Sequence, residues 1–73
     1  MNEVFIRDEF IRLDAALKFS GVIGTGGQAK MVIQDGLVFV NDEVSTMRGK
    51  KLRPGDRFTF MEQTYLISIH ELN

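Results

Sequence analysis

Two stretches of this 73-residue sequence carry groups able to grip an anion. The first is Gly24-Thr25-Gly26-Gly27-Gln28-Ala29, followed by Lys30. A glycine-rich turn opening a helix leaves backbone N–H groups bare, and those groups with the helix dipole attract a phosphate. The second stretch holds Arg48, Lys50, Lys51, Arg53 and Arg57 against Asp56 alone, a local charge of +4. The whole chain carries −1, so the rest of it sums to −5. A small domain polarised in this way points to an anionic partner on one side. The plain alternative is a solvated basic loop.

Little else in the sequence suits catalysis. The glycine run satisfies the loose dinucleotide pattern G-x-G-x-x-G/A, but that pattern needs a preceding strand, and Val22-Ile23 is too short for one. Without cysteine there is no disulfide, thiolate zinc site or thiol nucleophile. His70 is the single histidine and has no neighbour in sequence to make it a base. The carboxylate pairs Asp8-Glu9 and Asp42-Glu43 are adjacent residues, which tend to point apart rather than act as acid and base. Ser20, Ser45 and Ser68 lack a nucleophile-elbow context. The expectation is a protein that is no enzyme and takes no metal or nucleotide cofactor.

Length and composition set the scale. Residues 1–73 are expected to form one domain, near the lower limit for folding without staples. Apolar residues make up 44% and charged residues 26%, ordinary values for a folded domain. No apolar run approaches the roughly 20 residues of a membrane span. Met1-Asn2-Glu3 has no basic leader character, so the cytoplasm is the expected compartment, and a monomer is the expected state.

The elements that must position these groups follow from periodicity. Glu3–Arg7 alternates as a strand, with Val4 and Ile6 on one face and Phe5 on the other. Phe10, Leu13 and Leu17 recur at helical spacing, which predicts a helix over Arg12–Ser20 that Gly21 stops. Thr25 and Gln28 match a capping box for a second helix over Gly26–Asp35. Its buried stripe is Ala29, Val32 and Ile33, and Gly36 ends it. Leu37–Val40 then reads as a strand, turning at Asn41-Asp42 into Glu43-Val44. Ser45–Lys51 is a basic loop, and Arg53-Pro54-Gly55-Asp56 suits a type II turn. Arg57–Met61 and Thr64–Ile69 form a last hairpin around Glu62-Gln63. Leu13, Leu17, Val32, Ile33, Phe58 and Phe60 are the expected core. The class is α+β: a two-helix hairpin packed on a small antiparallel sheet.

Taken together, Arg12-Leu13-Asp14-Ala15-Ala16-Leu17-Lys18 and Thr25 to Asn41 resemble the S-four RNA-binding domain, the family named for the fourth protein of the small ribosomal subunit. That family reads approximately R-L-D-x-x-L, then S-R-x-x-A-K/R-x-x-I-x-x-G-x-V-x-V-N-G, with a later Gly-Asp pair matched by Gly55-Asp56. The resemblance covers about Arg12 to Phe60. Thr-Gly-Gly-Gln-Ala-Lys at Thr25–Lys30 and Arg-Gly-Lys-Lys-Leu at Arg48–Leu52 are similar to the free-standing bacterial YaaA/YbcJ-like branch. Gly26 stands where the broader family has arginine, Met31 where a second basic residue is frequent, and Asp42 where glycine follows Val-Asn.

The resemblance implies a helix pair on a sheet that binds structured RNA, ribosomal RNA above all, across the helix face and the hairpin. Ribosomal particles are the partner it suggests. The residues expected to make the contact are Arg12, Lys18, Thr25, Gly26, Gly27, Lys30, Arg48, Lys50, Lys51 and Arg53. Arg7 and Arg57 read as surface charges, and Arg12 has Asp8 or Glu9 as alternative ion-pair partners. Tyr65 or Phe39 could stack on a base, with core packing as the plainer role. The alternative function is a small protein-interaction adaptor with the same fold and little RNA affinity, suggested by the acidic remainder.

Overall fold

The computed structural model describes residues 2–70. In chain order the elements are β1 (Asn2–Ile6), β2 (Ile11–Arg12), α1 (Leu13–Phe19), α2 (Gly26–Gln34), β3 (Val38–Val40), β4 (Glu43–Val44), β5 (Lys51–Leu52), β6 (Arg57–Phe60) and β7 (Gln63–Ile69). The architecture is α+β, with two helices on a five-stranded sheet ordered β1-β7-β6-β3-β4. β7, β6, β3 and β4 are antiparallel neighbours, but not in the order of the expected meander: β6 pairs with β3, and β4 is left at the edge beyond it. The opposite margin also departs from expectation. β1 joins β7 in parallel, Asn2 opposite Tyr65 through Ile6 opposite Ile69, which makes the sheet mixed.

Alternation along each strand decides what is buried. Val4, Ile6, Val38, Val40, Phe58, Phe60, Tyr65 and Ile67 all face the core. They meet Leu13, Ala16 and Leu17 of α1 and Ala29 and Ile33 of α2. Phe58 and Tyr65, opposite each other in register, stack at 4.9 Å between ring centroids. Tyr65 is therefore core, whereas Phe39 lies on the outer face of the sheet, 40% exposed. Val32, expected as core, is only half-buried at its margin.

The turns obey backbone geometry. Gly21 (φ 84°) and Gly36 (φ 75°) follow the two helices in the left-handed conformation that lets the chain turn away. Asn41 (φ 49°) and Asp42 (φ 71°) form the two-residue turn expected there, a conformation asparagine and aspartate tolerate better than most residues. The last hairpin turns one residue earlier than expected. Met61 (φ 52°) and Glu62 (φ 66°) occupy the turn, so that Phe60 pairs with Gln63. That register keeps Phe58, Phe60, Tyr65 and Ile67 on one face, and a one-residue slip would expose two of the four strand positions to water. Burial outranks the poor fit of methionine to a left-handed turn.

Candidate nucleic-acid interface

The start of α2 is the more regular half of the site. Thr25 is extended (φ −134°, ψ 156°), and its hydroxyl accepts from the Gln28 N–H at 3.2 Å. The reciprocal bond from Thr25 N–H to the Gln28 side chain is not formed among the described residues, so half of the capping box is present. The Thr25 hydroxyl is thus engaged in holding the turn. Gly26 and Gly27 have ordinary helical conformations, and a Cβ built on either meets nothing within 4 Å. Packing therefore does not require glycine at these positions. Lys30 stands one turn further on, above Gly26 on the same side of the helix, and is exposed.

The basic stretch is strapped to α1 rather than free. Leu13 N–H donates to the Lys50 carbonyl at 2.8 Å, and Asp14 N–H to the Arg48 carbonyl at 3.1 Å. These are two of the bare N–H groups every helix start presents, here satisfied by main chain instead of a side-chain cap. The strap continues into a two-residue ladder, β2 with β5, in which Ile11 faces Leu52 and Arg12 faces Lys51. The expected loop over Ser45–Lys51 thus ends as a strand. Leu52, wholly buried, anchors it to the core.

This ladder sets two cations directly opposite each other. Like charges in register destabilise a strand pair. Each has found partial relief. The Arg12 Nη2 lies 3.2 Å from the Asp14 carboxylate, not from Asp8 or Glu9. Lys51 Nζ sits 4.9 Å from the centroid of the Phe10 ring, a cation–π contact that no spacing rule foresaw. The Arg12 guanidinium also lies over Gly49, whose missing Cβ would sit 3.6 Å from Nη2.

The two halves meet. Arg12, Asp14, Ala15 and Lys18 from the α1 side and Gly26 from α2 line one shallow groove. The structure therefore brings together Arg12, Lys18 and Gly26, with Lys51 across the ladder and Arg48 and Lys50 on the strap. Arg53 stands apart from the groove's lining, at the turn beyond β5. Its N–H donates to Asp56 Oδ2 at 2.8 Å. That bond holds the Asp56 carboxyl below its ordinary range, helped by the Asn41 amide and the Lys50 and Arg53 charges, while slight burial opposes the shift. Arg57 is engaged with Asp42 in a surface ion pair, as its sequence position suggested. All ten expected contact residues are exposed.

The S4 domain family model matches residues 4–68. The chain therefore belongs to the S4 domain family, an RNA-binding class. It is 44% identical over 55 residues to "Probable ribosome maturation protein RlbA" of Bacillus subtilis (strain 168), an alignment covering 75% of this chain and 78% of the relative. No helix among the described residues is long and apolar enough to cross a membrane.

Proposed function

We propose that this chain is a non-catalytic module that binds structured RNA, with ribosomal RNA or a ribosomal particle as its target, in the cytoplasm. The observation that carries the reading is the Arg12–Lys51 register pair beside the bare first turn of α2. A fold that sets two cations opposite each other is relieved when an anion bridges them. Glycines that packing does not require leave the helix N–H groups open to a phosphate oxygen. Helical RNA offers phosphates at regular spacing and is read mainly by shape and backbone. In this reading Arg12, Lys18, Lys30, Arg48, Lys50 and Lys51 form one positive face, Gly26 and Gly27 admit the phosphate, Thr25 holds their turn, and Arg53 contributes at the margin. The name of the Bacillus relative supports ribosome maturation as the setting.

Titration against a structured ribosomal RNA fragment tests this. About four to six phosphate contacts give a log–log salt slope of roughly −3 to −5. An affinity without salt dependence, or none at all, rejects the RNA face and favours the adaptor reading, to which the exposed Phe39–Val44 pair on the outer sheet face would then belong.

A further inference from the structure

At the opposite margin of the sheet, β1 has β7 on one side and, among the described residues, no strand on the other. Unpaired strand edges are templates for another strand, and natural proteins commonly blunt them with inward charges, proline or a bulge. β1 carries none of these. Along it runs an open concavity of about 880 Å³, lined by every residue of the strand and walled by Phe10, Phe19 and Ser20. Phe5 (49% exposed) and Phe19 (66% exposed) leave large apolar surfaces beside this edge.

The outward backbone groups can be assigned. The Ile6 carbonyl accepts from His70 N–H at 2.7 Å, on the β7 side. N–H and C=O groups alternate between the two sides of a strand, so Ile6, Val4 and Asn2 point to β7. Glu3 and Phe5 then point their N–H and C=O outward, and Arg7 is the first residue past the strand, in the bend that follows it. An antiparallel strand centred on Phe5 would meet Glu3 and Phe5 at its hydrogen-bonding positions and bring its own Glu3 opposite Arg7 at the strand's end.

The same centre makes the strand complementary to itself. Reversed about Phe5, Glu3 faces Arg7, Val4 faces Ile6, and Phe5 faces Phe5. Opposite charges meet, the buried pair continues the core, and the aromatic pair lies on the outer face. No other centre within the strand puts Glu3 against Arg7. Backbone direction permits any two-fold centred on a residue of the strand, and side-chain charge selects the one through Phe5. We propose that β1 pairs antiparallel with β1 of a second copy, across a two-fold axis through Phe5, joining two sheets into one. Both helix layers then lie on the same side of the joined sheet, and the exposed Phe19 side chains approach each other over the seam. This replaces the monomer expected from sequence and does not depend on RNA.

Sedimentation of the protein alone, over a concentration series reaching millimolar, tests it. Wild type should shift from monomer to dimer. Glu3→Arg sets Arg against Arg in both symmetric pairs, and Arg7→Glu sets Glu against Glu. Each should weaken the dimer roughly tenfold or more. The Glu3→Arg/Arg7→Glu double variant, and an equimolar mixture of the two single variants, restore opposite charges and should dimerise again. Glu3→Arg also loses the bond Glu3 accepts from Ser68 Oγ, at 2.8 Å. Arg7→Glu disturbs no such bond and guards against a folding artefact, and thermal melting checks both. A wild type that stays monomeric throughout overturns the proposal. So does a dimer that survives both single variants, or a mixture that fails to recover.

Discussion

Replacing Gly26 by alanine separates what is good for the fold from what is good for binding. Gly26 is helical, its φ is not positive, and a Cβ there has open space around it. Alanine fits without strain and removes conformational freedom from the unfolded chain, a gain of about 0.4–1 kcal/mol. For a domain of this size each kcal/mol raises Tm by about 4–8 °C, so the variant should melt roughly 2–8 °C higher than wild type. The new methyl projects beside the groove that Gly26 shares with Arg12 and Lys18. A phosphate at the helix start would be held off the N–H groups. Losing one hydrogen bond to a charged group costs about 1.5–3 kcal/mol, which is roughly a 10- to 150-fold loss in RNA affinity. Circular-dichroism melting and fluorescence anisotropy with a structured ribosomal RNA fragment, at one fixed salt concentration, measure the two effects. The salt slope should change little, because every lysine and arginine remains. A variant that is more stable and binds RNA as before would refute the phosphate site. A variant that melts lower would refute the claim that packing does not need glycine there.

Three further outcomes follow from the same geometry. Thr25→Asp keeps an oxygen to accept from Gln28 N–H and suits the helix dipole, so Tm should hold within a few degrees, while its charge beside the phosphate weakens RNA binding in the same anisotropy assay; Thr25→Ala should instead cost about 1 kcal/mol of stability. The Lys50→Glu/Lys51→Glu variant should weaken binding to unrelated structured RNAs alike and flatten the salt slope by about 1.5–2, since phosphate contacts carry little sequence information. Asp56 has a lowered pKa in the folded state, so its contribution to stability is present above its ordinary value of 3.8 and is lost as pH falls through the lower folded value. Melting curves from pH 5 down to 2 should show a steeper loss for wild type than for Asp56→Asn.

Local patterns carried the helices and turns. Leu13 and Leu17 at helical spacing, Thr25 ahead of Gln28, and Asn41-Asp42 between alternating runs each report a local energetic choice, and each is found. What stayed hidden is non-local or made of backbone. The pairing of β1 with β7 depends on residues more than 60 positions apart, and nothing in Glu3–Arg7 names its partner. The carbonyls of Arg48 and Lys50 that satisfy the start of α1 have no signature, because every residue owns a carbonyl. The site shows the same division. Its basic residues were legible as a charge run, and its glycines as a helix start. The opposition of Arg12 to Lys51, and the rest Phe10 provides, became visible only once the two-residue ladder fixed a register.

The parallel pairing of β1 with β7 also constrains when the molecule can exist. β1 hydrogen-bonds to β7, so the sheet cannot acquire this margin until the chain has been made through Ile69. Val4 and Ile6, both buried in the finished core, have no neighbours in the sheet until Ile67 and Ile69 arrive opposite them. Closing so long a span costs entropy before any contact repays it, which slows folding relative to a domain of local contacts. A nascent chain truncated before Gln63 would hold both helices and all nine lysines and arginines, yet leave the apolar β1 without a partner. Completion of β7, seven residues long, is therefore the step at which this sheet commits.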